Sequence, residues 1–259
     1  MQKYAPSDKM RIGFIGAGQI GGTLIRHYTK AGHTVKMTNA SGPEKLKALA
    51  LETGASPATL EDAVTDVDVI VLSIPMIEIP NLPKDLLKNI SPNTTILDTC
   101  NYYPIRDGFI DDMENGMLES VWVSNHLHCP VIKAYNSILA ASLMLSGAPA
   151  HAAARIALPV SGDDKRSKAL VSRLIDDSGF DSLDIGSLQD SWKQQPGSPV
   201  YCTDLTRAQL KNSIEKAKKE ILPARRELGL AFILKQNPEL CKDWWTDCVN
   251  HNRVIYESI

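Results

Sequence analysis

Residues 10–22 read Met10-Arg11-Ile12-Gly13-Phe14-Ile15-Gly16-Ala17-Gly18-Gln19-Ile20-Gly21-Gly22. A short apolar run, Ile12 to Ile15, enters Gly16-x-Gly18-x-x-Gly21. Helical spacing follows at once, with Ile20, Leu24, Ile25 and Tyr28 on one side. Strand, glycine turn and helix in that order form a dinucleotide-binding fingerprint. Gly16 permits the tight turn. Gly18 lets the backbone approach a pyrophosphate with no Cβ between them. Gly21 lets the helix pack close to the strand. The pyrophosphate then meets free N–H groups, Gln19 and Ile20 among them, at the positive end of the helix. The competing reading is an ordinary glycine-rich turn. Against it, the helix has a natural stop at Gly32, a residue placed to close it in the left-handed conformation.

The chain has 259 residues, 43% of them apolar, and a net charge of −2. That balance gives no reason to expect nucleic acid or an anionic membrane as a partner. Met1 to Asp8 contain no apolar signal region, and no run reaches the roughly 18 apolar residues a membrane span needs. Five cysteines, Cys100, Cys129, Cys202, Cys241 and Cys248, form no CxxC pair. Neither a zinc framework nor a disulfide framework is expected, and the cytoplasm is the expected compartment.

Outward from the glycine turn, residues 33–38 read as a second strand. Ser41-Gly42-Pro43-Glu44 starts a helix, with Ser41 as N-cap and Pro43 near its first position. Its apolar positions are Leu46, Leu49, Ala50 and Leu51. Residues 55–59 read as a third strand and 60–64 as a brief helix. Residues 67–74 are almost continuously apolar, as in a strand buried on both faces. Further strands are expected at 94–98, 131–135, 156–160 and 182–185, and a helix at 165–177. Strands alternating with helices predict an α/β, Rossmann-like, doubly wound and mostly parallel sheet of about eight strands. Pro196-Gly197-Ser198-Pro199 is the clearest punctuation. It divides a dinucleotide-binding domain, 1–200, from a C-terminal helical appendage, 201–259. The appendage opens with a charged helix over 205–222, which Pro223 kinks or restarts. An aromatic cluster with Trp244 and Trp245 follows over 240–248.

The end of the second strand decides the adenosine ribose. An acid there would bind the 2′-hydroxyl of NAD. This chain has Thr38-Asn39-Ala40-Ser41. Nothing there repels a 2′-phosphate, and Asn39 and Ser41 can hold one, although no arginine is present to clamp it. NADP is therefore favoured, with NAD the alternative. Ser73-Ile74-Pro75, Asn101 and the run Lys133-Ala134-Tyr135-Asn136 stand at the carboxyl ends of predicted strands, where open α/β sheets bind ligands. Each is also readable as a plain strand end, and Asn136 as a helix cap. In Asn125-His126-Leu127-His128-Cys129 the two histidines alternate, so in a strand they share a face. No acidic or cysteine partner at metal-binding spacing accompanies them, and no metal site is expected. Asp163-Asp164 and Asp176-Asp177 read as helix ends rather than a catalytic pair.

Several stretches together resemble the NADP oxidoreductases that depend on a deazaflavin coenzyme. They are Phe14 to Gly21, Asn39 with Gly42-Pro43-Glu44, Lys133 to Asn136, Ser161-Gly162-Asp163-Asp164, Asp184 to Leu188 and Gln194 to Cys202. The same set is similar to the NADPH domain of six-transmembrane metalloreductases. The resemblance covers roughly residues 10–205. It implies NADPH held by the glycine loop, by Thr38 to Ser41, by Ser73 to Pro75 and by Asn101. It also implies a nicotinamide near Ala134, Tyr135 and Asn136. Ser41 stands where the bacterial branch often has an arginine, which leaves NAD within reach.

The expected activity is hydride transfer between NAD(P)H and a small oxidised acceptor, a flavin or deazaflavin. Such a reaction needs two rings held together in a dry cleft. It needs no protein acid–base pair, and the sequence shows no convincing one. Asn136 is expected to orient the nicotinamide or the acceptor. The small-molecule acceptor is the expected partner, beside a homodimer. One rival is a 3-hydroxyacid or imine-type dehydrogenase, whose Lys and Asn one helical turn apart are not found here. The other is a non-catalytic NAD(P)H-binding redox sensor that engages a partner through Trp244 and Trp245.

Overall fold

A computed structural model of the chain describes residues 9–236 and 243–257. The first half alternates β1 (Arg11–Ile15), α1 (Gln19–Ala31), β2 (Thr34–Thr38), α2 (Lys47–Thr53), β3 (Ser56–Pro57), α3 (Leu60–Val64), β4 (Val69–Leu72) and β5 (Thr95–Asp98). Then come α4 (Pro104–Asp107), α5 (Asp111–Glu114), α6 (Glu119–Leu127), β6 (Ile132–Lys133), α7 (Ala140–Leu145), β7 (Ala157–Ser161), α8 (Lys165–Asp177) and β8 (Asp181–Gly186). Three helices follow, α9 (Arg207–Ile214), α10 (Leu222–Ile233) and α11 (Trp244–Glu257).

The eight strands lie in the order β3-β2-β1-β4-β5-β6-β7-β8. The first six in sequence are parallel, β7 runs antiparallel to β6, and β8 is parallel to β7. The chain first builds outward from β1 to β3 and then crosses to β4 on the other side of β1. That reversal opens a crevice beyond the carboxyl ends of β1 and β4, the ligand position of doubly wound sheets. The Rossmann-like, mostly parallel sheet expected from the sequence is the observed fold.

Strand alternation sends successive side chains to two cores. Phe14, Val71 and Leu97 meet Leu24, Ile25 and Tyr28 of α1 and Val171 and Leu174 of α8. Ile15, Ile70, Leu72 and Ile96 meet Val64 of α3 and Trp122 and Val123 of α6. Both faces of the sheet are thus covered, which is why its central strands read as unbroken apolar runs. α1 ends at Gly32, whose φ of 92° supplies the left-handed cap.

Several boundaries differ from the sequence reading. Ser41 does not cap a helix: a 3₁₀ turn over Pro43–Leu46 begins after Gly42, with no side-chain cap, and α2 follows it. Leu46 is buried, whereas Leu51 is 89% exposed on the outer face of α2. The strand expected over 131–135 is only Ile132–Lys133, because Tyr135 turns left-handed at φ 60°. His126 lies on α6 and His128 caps it at φ 51°, so the pair does not share a strand face. The charged helix expected over 205–222 ends at Ile214, and Pro223 stands in the first turn of α10. Leu240 to Lys242 lie outside the described residues, while Trp244 and Trp245 open α11, both half-buried.

The helices after residue 200 pack on the second half of the sheet. Leu210 and Ile214 of α9 cover Ala157 and Val200, and Ile156 makes an antiparallel bridge to Thr206. Tyr256 of α11 covers Tyr201 and Cys202. Among the described residues no helix is long and apolar enough to cross a membrane.

Candidate functional site

The glycine turn sits at the reversal point of the sheet. Gly16 has a φ of 100°, and a Cβ on it would collide with the Ser73 carbonyl of the neighbouring strand end. Its N–H donates to Thr38 O at 2.9 Å and Ser73 N–H donates to Ile15 O at 2.9 Å, so three strand ends are tied together. A Cβ on Gly21 would strike the Gly16 carbonyl, whereas one on Gly18 would meet nothing within 4 Å. The first and third glycines are therefore required by the protein's own packing. The second faces open space.

That space is a groove of about 470 Å³, walled by residues 15–18, 38–40 and 73–75 and closed at one end by Leu60, Glu78, Asn81 and Leu82. α1 begins at the groove with no side-chain cap and no acid in its first turn. Its first N–H groups, those of Gln19 and Ile20 included, are left for an anion, which the helix dipole favours. Asn39 lines the groove, and its Oδ1 is buried without a hydrogen-bond partner among the described residues. Such a buried acceptor is costly unless a donor arrives. Ser41 is exposed just beyond. Gly18, the uncapped helix and Asn39 fit a dinucleotide. Leu60, Glu78, Asn81 and Leu82 are missing from the sequence reading. Glu78 and Asn81 lie in a 3₁₀ turn, Met76–Asn81, which Leu82 follows, and Leu60 opens α3; in sequence Pro75 marks that segment only as the end of a strand.

The other end of the crevice is a connected set of amides. Asn136 donates from Nδ2 to Asn101 Oδ1 at 3.0 Å and to Gln194 O at 2.8 Å, and its Oδ1 accepts from Gln194 Nε2 at 3.0 Å. Asn101 Nδ2 donates to Asn136 O at 2.9 Å and to the Tyr201 hydroxyl at 3.2 Å, which in turn bonds the Tyr103 hydroxyl. Ser161 Oγ donates to Gln194 Oε1 at 3.1 Å. Asn101 and Asn136, singled out from the sequence, are thus brought together, and both N–H bonds of each are committed within the protein. Gln194, which joins them, was legible only as part of the family's tail.

Ala134 is fully buried with its N–H on Asp98 O at 3.2 Å. Tyr135 is fully buried. Its ring turns into the core under α1, where its hydroxyl contacts those of Tyr28 and Ser178, each at 3.0 Å. Burial pushes the Tyr135 phenol well above its ordinary pKa.

Beneath these residues lies a buried ionic set in which Lys133, known from sequence only as part of a strand-end run, turns inward. Lys133 Nζ is 3.1 Å from Asp98 Oδ2 and also donates to Cys100 O. Asp98 accepts from Ser120 Oγ and from Cys100 N, both at 2.8 Å. Glu119, the first residue of α6, is 5% exposed, and burial pushes its carboxyl up to about 7. Asp164 caps α8 by accepting from Ser167 N, and Asp163 accepts from Leu188 N. The His126 ring lies against Trp122, tilted by 37°, with ring centroids 3.8 Å apart.

The sheet, the glycine groove and the uncapped helix define a Rossmann-like fold with a groove that fits a dinucleotide. Residues 11–102 match the family of NADP oxidoreductases described as coenzyme F420-dependent, the family the motifs resemble. A hypothetical protein of Sinorhizobium meliloti, SMa0349, is 28% identical and superposes with a TM-score of 0.65, over 78% of this chain and 97% of its own. A protein of Arthrobacter sp. FB24, described as an F420-dependent NADP-reductase, superposes with a TM-score of 0.59 at 19% identity, over 70% of this chain and 87% of its own. At that identity the likeness is one of fold. The Escherichia coli protein YjhV is 37% identical over 71 residues, which are 27% of this chain and 52% of its own length. The chain therefore spans about half the length of the curated relative it matches.

Proposed function

We propose that the protein passes a hydride from NADPH to a small oxidised acceptor, a flavin or a deazaflavin. The observation that carries the cofactor reading is the groove itself, with Gly18 facing open space beside a helix that lacks a cap. The backbone N–H groups after Gly18 would hold the pyrophosphate. Asn39 Oδ1 would accept from the adenosine ribose, with Ser41 available to a 2′-phosphate, and Leu60 and Leu82 would offer apolar surface to the adenine. A bound nicotinamide supplies the hydride. The amide set of Asn101, Asn136 and Gln194 fixes the floor on which the ring rests, so that Asn136 acts by position. No protein group is asked to give up a proton, and the proton taken up by the reduced acceptor comes from solvent. The match of residues 11–102 to the F420-dependent family supports the deazaflavin.

The test is anaerobic oxidation of NADPH deuterated at C4, with a flavin and a deazaflavin as acceptors. Turnover with a primary isotope effect, and deuterium delivered to the reduced deazaflavin, is the expected result. Tight NADPH binding with no turnover on either acceptor would overturn the enzyme reading in favour of a sensor.

A further inference from the structure

A second cavity lies away from the dinucleotide groove and shares no lining residue with it. It holds about 110 Å³ between the α5–α6 turn and the start of α10. Its floor is Glu119, and Tyr102, Gln195, Lys219 and Arg226 are among its walls. It opens into an adjoining groove of about 450 Å³, which shares Lys219 and Arg226 with it.

Glu119 is the unusual member. The residue is 5% exposed, and its Oε2 has no hydrogen-bond partner among the described residues. A buried carboxylate oxygen of that kind calls for a donor. The rim of the cavity itself carries Lys219 and Arg226, with Glu114 and Glu220 joining them only in the adjoining groove. Lys219 Nζ is anchored on Gly116 O at 3.1 Å. Arg226 donates from Nε to Glu227 at 2.9 Å and lies over the Tyr102 ring. An acceptor at the bottom and two cations at the mouth match a molecule with an N–H donor at one end and an anion at the other. A cavity of this volume takes only a compact one.

We propose that this cavity is a binding site for a small zwitterion of the α-amino acid type, its ammonium on Glu119 and its carboxylate facing Arg226 and Lys219. The charged groups around Glu119 agree. Burial holds its proton, Lys133 from β6 and Arg226 from α10 favour the ionised form, and Asp98 from β5 opposes it. An arriving ammonium tips the balance, so Glu119 ionises and its proton leaves for solvent. Occupancy also has a route to the reaction floor. Tyr102 follows Asn101 in the chain and Gln195 follows Gln194, so the two walls of this cavity adjoin two members of the amide set.

The probe is glycine, titrated calorimetrically into the full chain without nucleotide, with methylammonium chloride and sodium acetate as half-ligands. Saturable glycine binding is expected, with proton release visible as a difference between two buffers near neutral pH. Each half-ligand should bind about tenfold more weakly or worse, as should glycine to Glu119→Gln or to Arg226→Met, the loss expected for one charge-assisted contact. Glu119→Gln is isosteric, and Arg226→Met lies at the rim, so a fault in folding of one leaves the other. NADPH affinity should be unchanged in both. The proposal is overturned by the absence of saturable glycine binding. Glycine affinity equal to wild type in both variants, or acetate binding as tightly as glycine, overturns it too. None of these outcomes bears on the NADPH reading.

Discussion

Lys133 Nζ stands 3.1 Å from Asp98 Oδ2, with both side chains sealed from solvent. The pair joins the ends of β5 and β6, and Ser120 and the Cys100 backbone complete the shell of Asp98. Removing one partner of a buried pair strands the other charge, at a cost of about 3–5 kcal/mol. Lys133→Met and Asp98→Asn should each lower stability by that order in urea denaturation. The double variant should be less damaged than the sum, since no charge is left unpaired. Strict additivity would show that the two groups are not coupled.

Gly16 and Gly18 should separate folding from binding. Gly18 has a φ of −73° and free space where a Cβ would be, so Gly18→Val should keep the melting temperature. The isopropyl group would occupy the space of the pyrophosphate, and calorimetry should find NADPH binding lost. Gly16→Ala would strike Ser73 and should destabilise the fold itself. Wild-type NADPH affinity in folded Gly18→Val would remove the site.

On the proposed reading, Ser41, exposed beside the groove, would set the nucleotide preference. Without an arginine there, NADPH should bind more tightly than NADH by a modest margin. Ser41→Arg adds a charge-assisted contact, about 1.5–3 kcal/mol, and should widen the NADPH/NADH affinity ratio by roughly tenfold or more. An unchanged ratio would place the 2′-phosphate elsewhere.

Glu119 gives stability a pH signature. Its folded value lies near 7, above its ordinary 4.5. The proton is thus held more tightly in the folded state, and the contribution is fully present below about 4.5 and lost as pH rises through about 7. Comparing wild type with Glu119→Gln, the stability difference should move toward the variant by on the order of 3 kcal/mol across that window. A difference that stays flat from pH 4.5 to 7 would mean that Glu119 titrates normally.

Asn136→Ala and Gln194→Leu should reduce kcat, because loosening the ring floor misplaces the reacting atoms. NADPH affinity should fall much less, since neither residue lines the groove proposed for the adenosine half. His126→Ala and His128→Ala should leave kcat close to wild type. A loss of about a hundredfold in either histidine variant, with NADPH bound, would instead indicate general acid–base catalysis.

What could be read from the sequence was local. Gly16, Gly18 and Gly21 declare their roles within six residues, and β4 declares its burial by an unbroken apolar run. Lys133 stands out in sequence only as part of a strand-end run, with no sign that its side chain is buried. Its partner Asp98 lies 35 residues away, and nothing in either segment points to the other. The ring of Tyr135 was unplaceable without its left-handed φ. Asn39 stands out in sequence by its position after β2, and only the fold shows its oxygen buried without a donor among the described residues. The break after Ile214 left no mark, since Lys-rich residues continue the helical pattern beyond it.

Between β6 and β7 the ladder thins to Lys133 opposite Ser161. Parallel strands stop there and the antiparallel pair begins, so the sheet has a seam. Side chains fasten it, with Ser161 bound to Gln194 and Gln194 to Asn136. Amide protons of β7 and β8 should therefore escape to heavy water through opening of this seam, well before those of β1 and β4 exchange by global unfolding. A ligand that rests on Asn136 presses on the same fastening. If the reacting ring rests on Asn136 as proposed, the rivets of the sheet and its seat are one set of atoms, and filling the seat should slow exchange in strands the ligand never touches.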